Sequence, residues 1–286
     1  MLSLHTNNAA LSAQNSINRT QGSLSTSMTR LSTGYRINSS MDDAAGLQIA
    51  TRLKAQTSGM AVAMRNTQNS TSMLQTAEGA LDEVSNMLVR MKDLATQAAD
   101  ASSTGADKTA MQSEYDALGT ELYNVMNNTT FGGAKLLAGG TIASAMTFQI
   151  GSSTSEKMTV DMSASMTTLG TDVLATTANY AAVAVTGTEL TGVGTASTSI
   201  DKLSTAIASI GTVRSALGAS ANRLEHVYNN LSNISTNSKA ATGRIMDVDF
   251  ASESSKMTTS QMLLQAGTAM LKQSNSMSSM VMSLLQ

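Results

Sequence analysis

Two neighbouring rows of apolar residues run at seven-residue spacing through the last thirty positions of the chain, Met257 to Gln286. One row is Leu263, Met270, Met277 and Leu284. The other is Met257, Leu264, Leu271 and Leu285, broken at Ser278. A seven-residue apolar repeat on a helix makes a seam that must face another helix. Lys272 is the only charged residue in this stretch. A helix with so broad an apolar face and so little charge should not stay alone in water. It is expected to be buried against partner helices, from this chain or from other copies of it.

The rest of the composition favours slender helical packing over an aromatic core. Of 286 residues only 3% are aromatic, with no Trp, whereas Met numbers 21. Met and Ala suit long helix–helix contacts. Proline is absent, which removes the strongest helix breaker. Cysteine is absent too, excluding disulfides, thiolate metal sites and a Cys nucleophile. The net charge of −2 gives no global attraction to nucleic acid or to acidic membranes. No stretch reaches eighteen consecutive apolar residues, so no membrane span is expected. The N-terminus lacks a basic start followed by an apolar run, so an ordinary cleaved signal peptide is not expected.

Residues 1 to 41 share the character of the C-terminal stretch. Leu4, Leu11, Ile17, Leu24, Met28, Leu31 and Tyr35 recur mostly at spacings of seven, or of three and four, and the segment has no acidic residue. Both ends are therefore amphipathic and poor in charge, which suggests that they pair. Gly34 and Asn38-Ser39-Ser40 then interrupt the pattern, and Asp42 and Asp43 sit where a new helix would be capped. From Ala44 to about Asp100 nothing breaks the helix. Leu53, Met60, Thr67, Leu74, Leu81, Leu88 and Ala95 are strictly seven apart, with Ala77, Val84, Met91 and Ala98 as a companion row. Such a helix would span roughly 80 Å.

After a turn at Ser102–Gly105, Met111, Tyr115, Leu118, Leu122 and Val125 predict a second helix folded back antiparallel on the first. Met146, Phe148 and Ile150 alternate, as do Met158, Val160 and Met162, with a Gly/Ser-rich stretch between them. That is a hairpin signal. Residues 171–198 are Thr/Ala/Gly-rich and read as an exposed, partly irregular insert. Helical spacing returns with Leu203, Ile207, Ile210, Leu217, Ala221, Leu224, Tyr228 and Leu231.

No constellation for chemistry emerges. His5 and His226 have no second ligand at metal spacing, no glycine cluster precedes a Lys-Ser/Thr, and neither a nucleophile elbow nor HExxH occurs. Adjacent Asp42 and Asp43 would point about a hundred degrees apart on a helix, which favours capping over paired-carboxylate catalysis. The expectation is no enzyme, no cofactor, no metal and no catalytic residue.

Several motifs agree on one resemblance. Leu31-Ser-Thr-Gly-Tyr-Arg-Ile-Asn-Ser, followed by Asp42-Asp-Ala-Ala-Gly-Leu-Gln-Ile-Ala, resembles the N-terminal signature of bacterial flagellin. Asn222-Arg-Leu-Glu, Arg244-Ile-Met-Asp-Val-Asp-Phe and Gln261-Met-Leu-Leu-Gln-Ala-Gly-Thr resemble its C-terminal signature. The resemblance covers about residues 1–165 and 200–286. Its joint motif falls on Arg36, Asp42, Asp43 and Gly46.

The resemblance implies a mainly α fold: a long antiparallel helical rod or coiled coil formed by both chain ends, with a small β-hairpin region in the middle. It implies an inner discontinuous coiled-coil domain at 1–42 and 250–286. An outer helical domain with the hairpin would take 43–175 and 199–249, leaving 171–198 as a reduced, variable, exposed insert. The function implied is a structural subunit of the flagellar filament for motility. It would be exported unfolded through the type III apparatus, secreted to the extracellular flagellum, and ordered at its ends on assembly.

The assembly residues would be Leu4, Leu11, Leu24, Leu31, Met257, Leu263, Leu264, Met270, Leu271, Met277, Leu284 and Leu285. Implied partners are other copies of the chain, an export chaperone, cap and junction proteins, and a host Toll-like receptor, with no nucleic acid and no membrane. The receptor-binding motif of the family matches Leu88–Ala95 and the next helix, which puts Arg90, Leu94 and Glu114 at that site. A hook–filament junction protein and a secreted coiled-coil adhesin that never polymerises are the alternatives. An enzyme displayed on a filament is disfavoured by the short centre without HExxH.

Overall fold

A computed structural model describes residues 7–180 and 185–283. The fold is mainly α. Helix α1 spans Asn8–Thr33, α2 Ala44–Ala99, α3 Gly105–Asn128, α4 Ser163–Thr176, α5 Thr195–Met246 and α6 Phe250–Ser283. Two short antiparallel ribbons lie between α3 and α4. Strand β1 (Thr130–Phe131) pairs with β2 (Ala134–Lys135), and β3 (Met146–Gln149) with β4 (Lys157–Val160). The chain divides into two compact units, Met1–Thr57 with Thr236–Gln286, and Ser58–Ser235.

The central unit, 58–235, holds the main core. The sevenfold row of α2 is buried through Met60, Thr67, Leu74, Leu81, Leu88 and Ala95, and its companion row Ala77, Val84, Met91 and Ala98 is fully buried. From Leu74 to Ala98 these rows pack in one cluster with Tyr115 and Leu122 of α3 and with Leu203, Ile210, Val213, Leu217 and Leu224 of α5, while Met60 packs in a smaller cluster with Ala63 and Leu231. The turn into α3 is closed by a reciprocal cap. The Thr104 hydroxyl accepts from the Asp107 backbone N–H, and the Asp107 carboxylate accepts from the Thr104 backbone N–H.

The hairpin forms in the register that its alternation predicts, Met146 opposite Val160 and Phe148 opposite Met158. The smaller ribbon was not among the sequence expectations. Gly132-Gly133 supplies two consecutive positive φ angles, 59° and 85°, which a two-residue turn between twisted strands requires.

The segment 171–198 departs from the exposed, irregular reading. Helix α4 continues to Thr176, and Met166, Leu169 and Val173 on it are buried at three- and four-residue spacing. Thr176, Thr177, Asn179, Leu190 and Ala196 are buried as well, and α5 begins at Thr195. Polar side chains of α3 supply the partners that this backbone needs. Gln112 is 2% exposed; its Oε1 accepts from the Leu190 N–H, and its amide donates to Asp116 and Glu189. Asn179 donates to Asp116, and the buried Tyr115 hydroxyl donates to the Thr176 carbonyl at 2.7 Å. Burial, with Glu189 and Asp116 adding like charge, pushes the Tyr115 hydroxyl well above its ordinary pKa.

Candidate self-assembly interface

In the terminal unit α1 and α6 pair along a seam of three- and four-residue spacing. Ile17, Leu24 and Leu31 of α1 and Met257, Leu264 and Leu271 of α6 are half-buried there. The pairing is antiparallel: the Asn7 amide donates to Ser274 at 3.2 Å near one end, and the Ser27 hydroxyl donates to Glu253 at 2.6 Å near the other. Between them the seam closes over Gly267. A Cβ there would lie 2.9 Å from Ile17 Cγ1, so only glycine lets the helices approach this closely.

Glu253 occupies the seam position four residues before Met257, where an apolar residue would ordinarily stand. Its side chain is 5% exposed. Besides Ser27 it meets Arg30 at 3.9 Å and Lys256 at 3.4 Å. The Ser27 hydrogen bond holds its carboxyl below the ordinary value of 4.5, against the opposing effect of burial; Lys256 and Arg30 add to the lowering. Arg30 also reaches Asp42 at 3.6 Å, and its Nε is buried with no hydrogen-bond partner among the described residues.

The joint residues fasten the two chain reversals of this unit to each other. Gly34 ends α1 in the left-handed conformation, φ 75°, and its N–H returns to the Arg30 carbonyl. The Val248 N–H donates to the Gly34 carbonyl, and the Arg36 N–H to Met246 at 2.6 Å. The Arg36 guanidinium donates to the Ile245 carbonyl at 3.0 Å. Asp42 and Asp43 take separate backbone partners, as capping requires. Asp43 accepts from the Gly46 N–H at 2.8 Å at the start of α2. Asp42 accepts from the backbone N–H groups of Ser39 and Asn38, which hold its carboxyl below the ordinary carboxylate range. A Cβ on Gly46 would meet Ile37, the buried apolar side chain of the joint, at 2.9 Å.

The two C-terminal apolar rows have different fates. Met257, Leu264 and Leu271 enter the seam. Leu263 and Met270 point away from it, 56% and 69% exposed, beside Met262 at 59%. On α1, Leu11 and Met28 are also exposed, and Met28 and Leu24 line a groove of about 520 Å³ among serines and threonines. Leu4, Leu284 and Leu285 lie outside the described residues. Met277 is on α6, beyond the side chains that are described.

In the central unit, Arg90 of α2 donates twice to Glu114 of α3, at 2.8 and 2.6 Å, and both side chains are about half exposed. Leu94 is not on that surface. It is 3% exposed and belongs to the core, because it falls in the buried stripe with Leu88, Met91 and Ala95. The exposed apolar neighbour of Arg90 is Val89. Sequence reasoning did not find the Ser27–Glu253–Arg30 layer or the Gln112–Asp116–Glu189 network. The signal for the first was a single acid in register with an otherwise uncharged seam.

The terminal unit is thus a helix pair closed along one seam, with an open apolar face on α6. Comparison with known proteins gives the family. The model of the bacterial flagellin N-terminal helical region matches residues 4–141, and that of the C-terminal helical region matches 200–285. The chain is 34% identical to Flagellin A of Vibrio anguillarum in an alignment covering the whole of both chains. It is 49% identical over 164 residues to B-type flagellin of Pseudomonas aeruginosa, covering 57% of this chain and 32% of that relative. The chain thus matches about a third of that relative's length. Among solved structures, it shares its fold with a Vibrio parahaemolyticus chain described as a flagellar hook-associated protein. That match has a TM-score of 0.57 and 16% identity over 72% of this chain and all of the other. The chain belongs to the bacterial flagellin family.

Proposed function

We propose that this chain is a structural, non-catalytic subunit that polymerises with copies of itself into the bacterial flagellar filament, outside the cell. The observation that carries this reading is the open apolar face of α6, Met262, Leu263 and Met270, on a helix already paired through its other face. Exposed apolar side chains at this density mark an interaction surface. With no charged residue between Lys256 and Lys272, the face suits another copy of an equally uncharged helix. No helix among the described residues is long and apolar enough to cross a membrane.

Removing residues 257–286 is the test. The intact chain is expected to form sedimentable filaments, and the truncated chain to stay in the supernatant with its central unit folded. Equal pelleting of both would overturn the assignment.

Export unfolded through a type III apparatus, a chaperone masking α6, and contacts with cap and junction proteins belong to the same proposal. So does recognition by a host Toll-like receptor, at Arg90 and Glu114 with Val89 beside them and Leu94 supporting from beneath. Arg90→Ala with Glu114→Ala should lower receptor signalling by the monomer, read in a reporter-cell assay; unchanged signalling would refute that site. Both substituted side chains are exposed, so a surface ion pair of small energetic weight is all the fold loses.

A further inference from the structure

We propose that Met262 and Met270 form an oxidation-sensitive gate on self-assembly. The proposal rests on the filament reading above. The chain contains 21 Met and no Cys, so thioethers are its only sulfur targets for a two-electron oxidant. Burial grades those thioethers, with Met28 and Met41 of the terminal unit also exposed. Met60, Met91 and Met126 are 0–2% exposed within the central unit, whereas Met262 and Met270 stand open on α6 at 59% and 69%.

At 100° per residue, Met262, Leu263, Ala266, Ala269 and Met270 fall on one strip of α6. That strip is distinct from the one carrying the seam residues Met257, Leu264 and Leu271. Both open thioethers of α6 therefore lie where a second copy would dock, and neither supports the α1–α6 pair.

The chemistry is an oxygen-atom transfer. The sulfur lone pair attacks one oxygen of hydrogen peroxide, the O–O bond breaks and an S–O bond forms. After proton transfer, water leaves. Sulfur loses two electrons and the peroxide gains them. The product turns a flexible apolar side chain into a polar, chiral one. Packed against another largely apolar strip, a sulfoxide oxygen must give up its water, and that desolvation opposes association. Thiol-dependent sulfoxide reductases reverse the step: the oxygen leaves as water and two thiols become a disulfide, with one enzyme needed for each sulfoxide epimer.

The test uses the full-length chain, exposed before assembly to limiting hydrogen peroxide and then assayed by sedimentation. Peptide mass mapping locates the sulfoxides, and circular dichroism follows helix content. Conversion at Met262 and Met270, with Met60, Met91 and Met126 spared, should raise the concentration needed for pelleting about tenfold. Treatment with both reductases should restore pelleting. The full chain carrying Met262→Leu and Met270→Leu should pellet normally after the same peroxide dose. Two results overturn the gate: undiminished pelleting with both sulfoxides mapped, or equal loss of pelleting in the double variant. An untreated chain that never pellets overturns the filament reading instead, and the gate falls with it.

Discussion

At the scale of single residues, Glu253 shows how a charge can serve an apolar seam. A carboxylate placed there is tolerated because the Ser27 hydroxyl and the Lys256 and Arg30 cations meet it. Since folding holds its pKa below 4.5, the stability that it contributes is fully present above that value and is lost as pH falls through the folded pKa. Asp42 is lowered as well and acts in the same direction. The protection of α6 amides, that is, their exchange relative to the intrinsic rate at each pH, should therefore fall on going from pH 6 to pH 3. Glu253→Gln should flatten that dependence in part, and an unchanged pH profile in the variant would contradict the assignment. Tyr115 offers a second case. Tyr115→Phe keeps the ring in the core but leaves the buried Thr176 carbonyl without its donor. A loss of about 1–2 kcal/mol is expected, read from the urea midpoint of the central unit.

At the scale of elements, the α1–α6 pair is set by close approach as much as by apolar area. Gly267→Ala should weaken the pairing by about 1–3 kcal/mol, because the added Cβ overlaps Ile17. Adding Ile17→Ala removes the atom that it strikes and should recover part of the loss. Denaturant melting of α1 and α6, followed by amide exchange, reads both variants; additive losses would argue against direct contact. This pair also shows what sequence periodicity can and cannot tell. The sevenfold rows announced the helices and suggested that the chain ends pair; the antiparallel sense was what the family resemblance implied. They could not say which of two adjacent rows enters the seam, because Leu263 and Leu264 are equally apolar. The choice falls on the row whose neighbour Gly267 lets α1 come close. Likewise Leu94 looked available on a motif, yet its place in the α2 stripe makes it core. The Thr/Ala/Gly-rich stretch after Gly170 hid its order because much of that order is polar, built on Gln112 and Asp116 from a distant part of the chain.

At the scale of the whole molecule, the two units differ in how much apolar surface they bury. Among the described residues, every fully buried apolar side chain except Ile37 and Ala50 belongs to the central unit. The terminal unit relies on half-buried seam residues, small contacts and polar layers, and elements with few buried apolar contacts open most readily. In the free chain, amides of α1 and α6 should thus exchange much faster than those of α2 between Leu74 and Ala98 or of α5 between Leu203 and Leu224. Polymerisation should reverse this order selectively. Burying Met262, Leu263 and Met270 against other copies slows exchange in α6 and, through the seam, in α1, while the central helices gain little because their core is already closed. Exchange measured by mass spectrometry on the supernatant and pellet of one preparation separates the outcomes. Protection confined to the pellet and concentrated in α1 and α6 supports assembly through the chain ends. Equal protection of α6 in both fractions would mean that its open face is not the surface on which the filament grows.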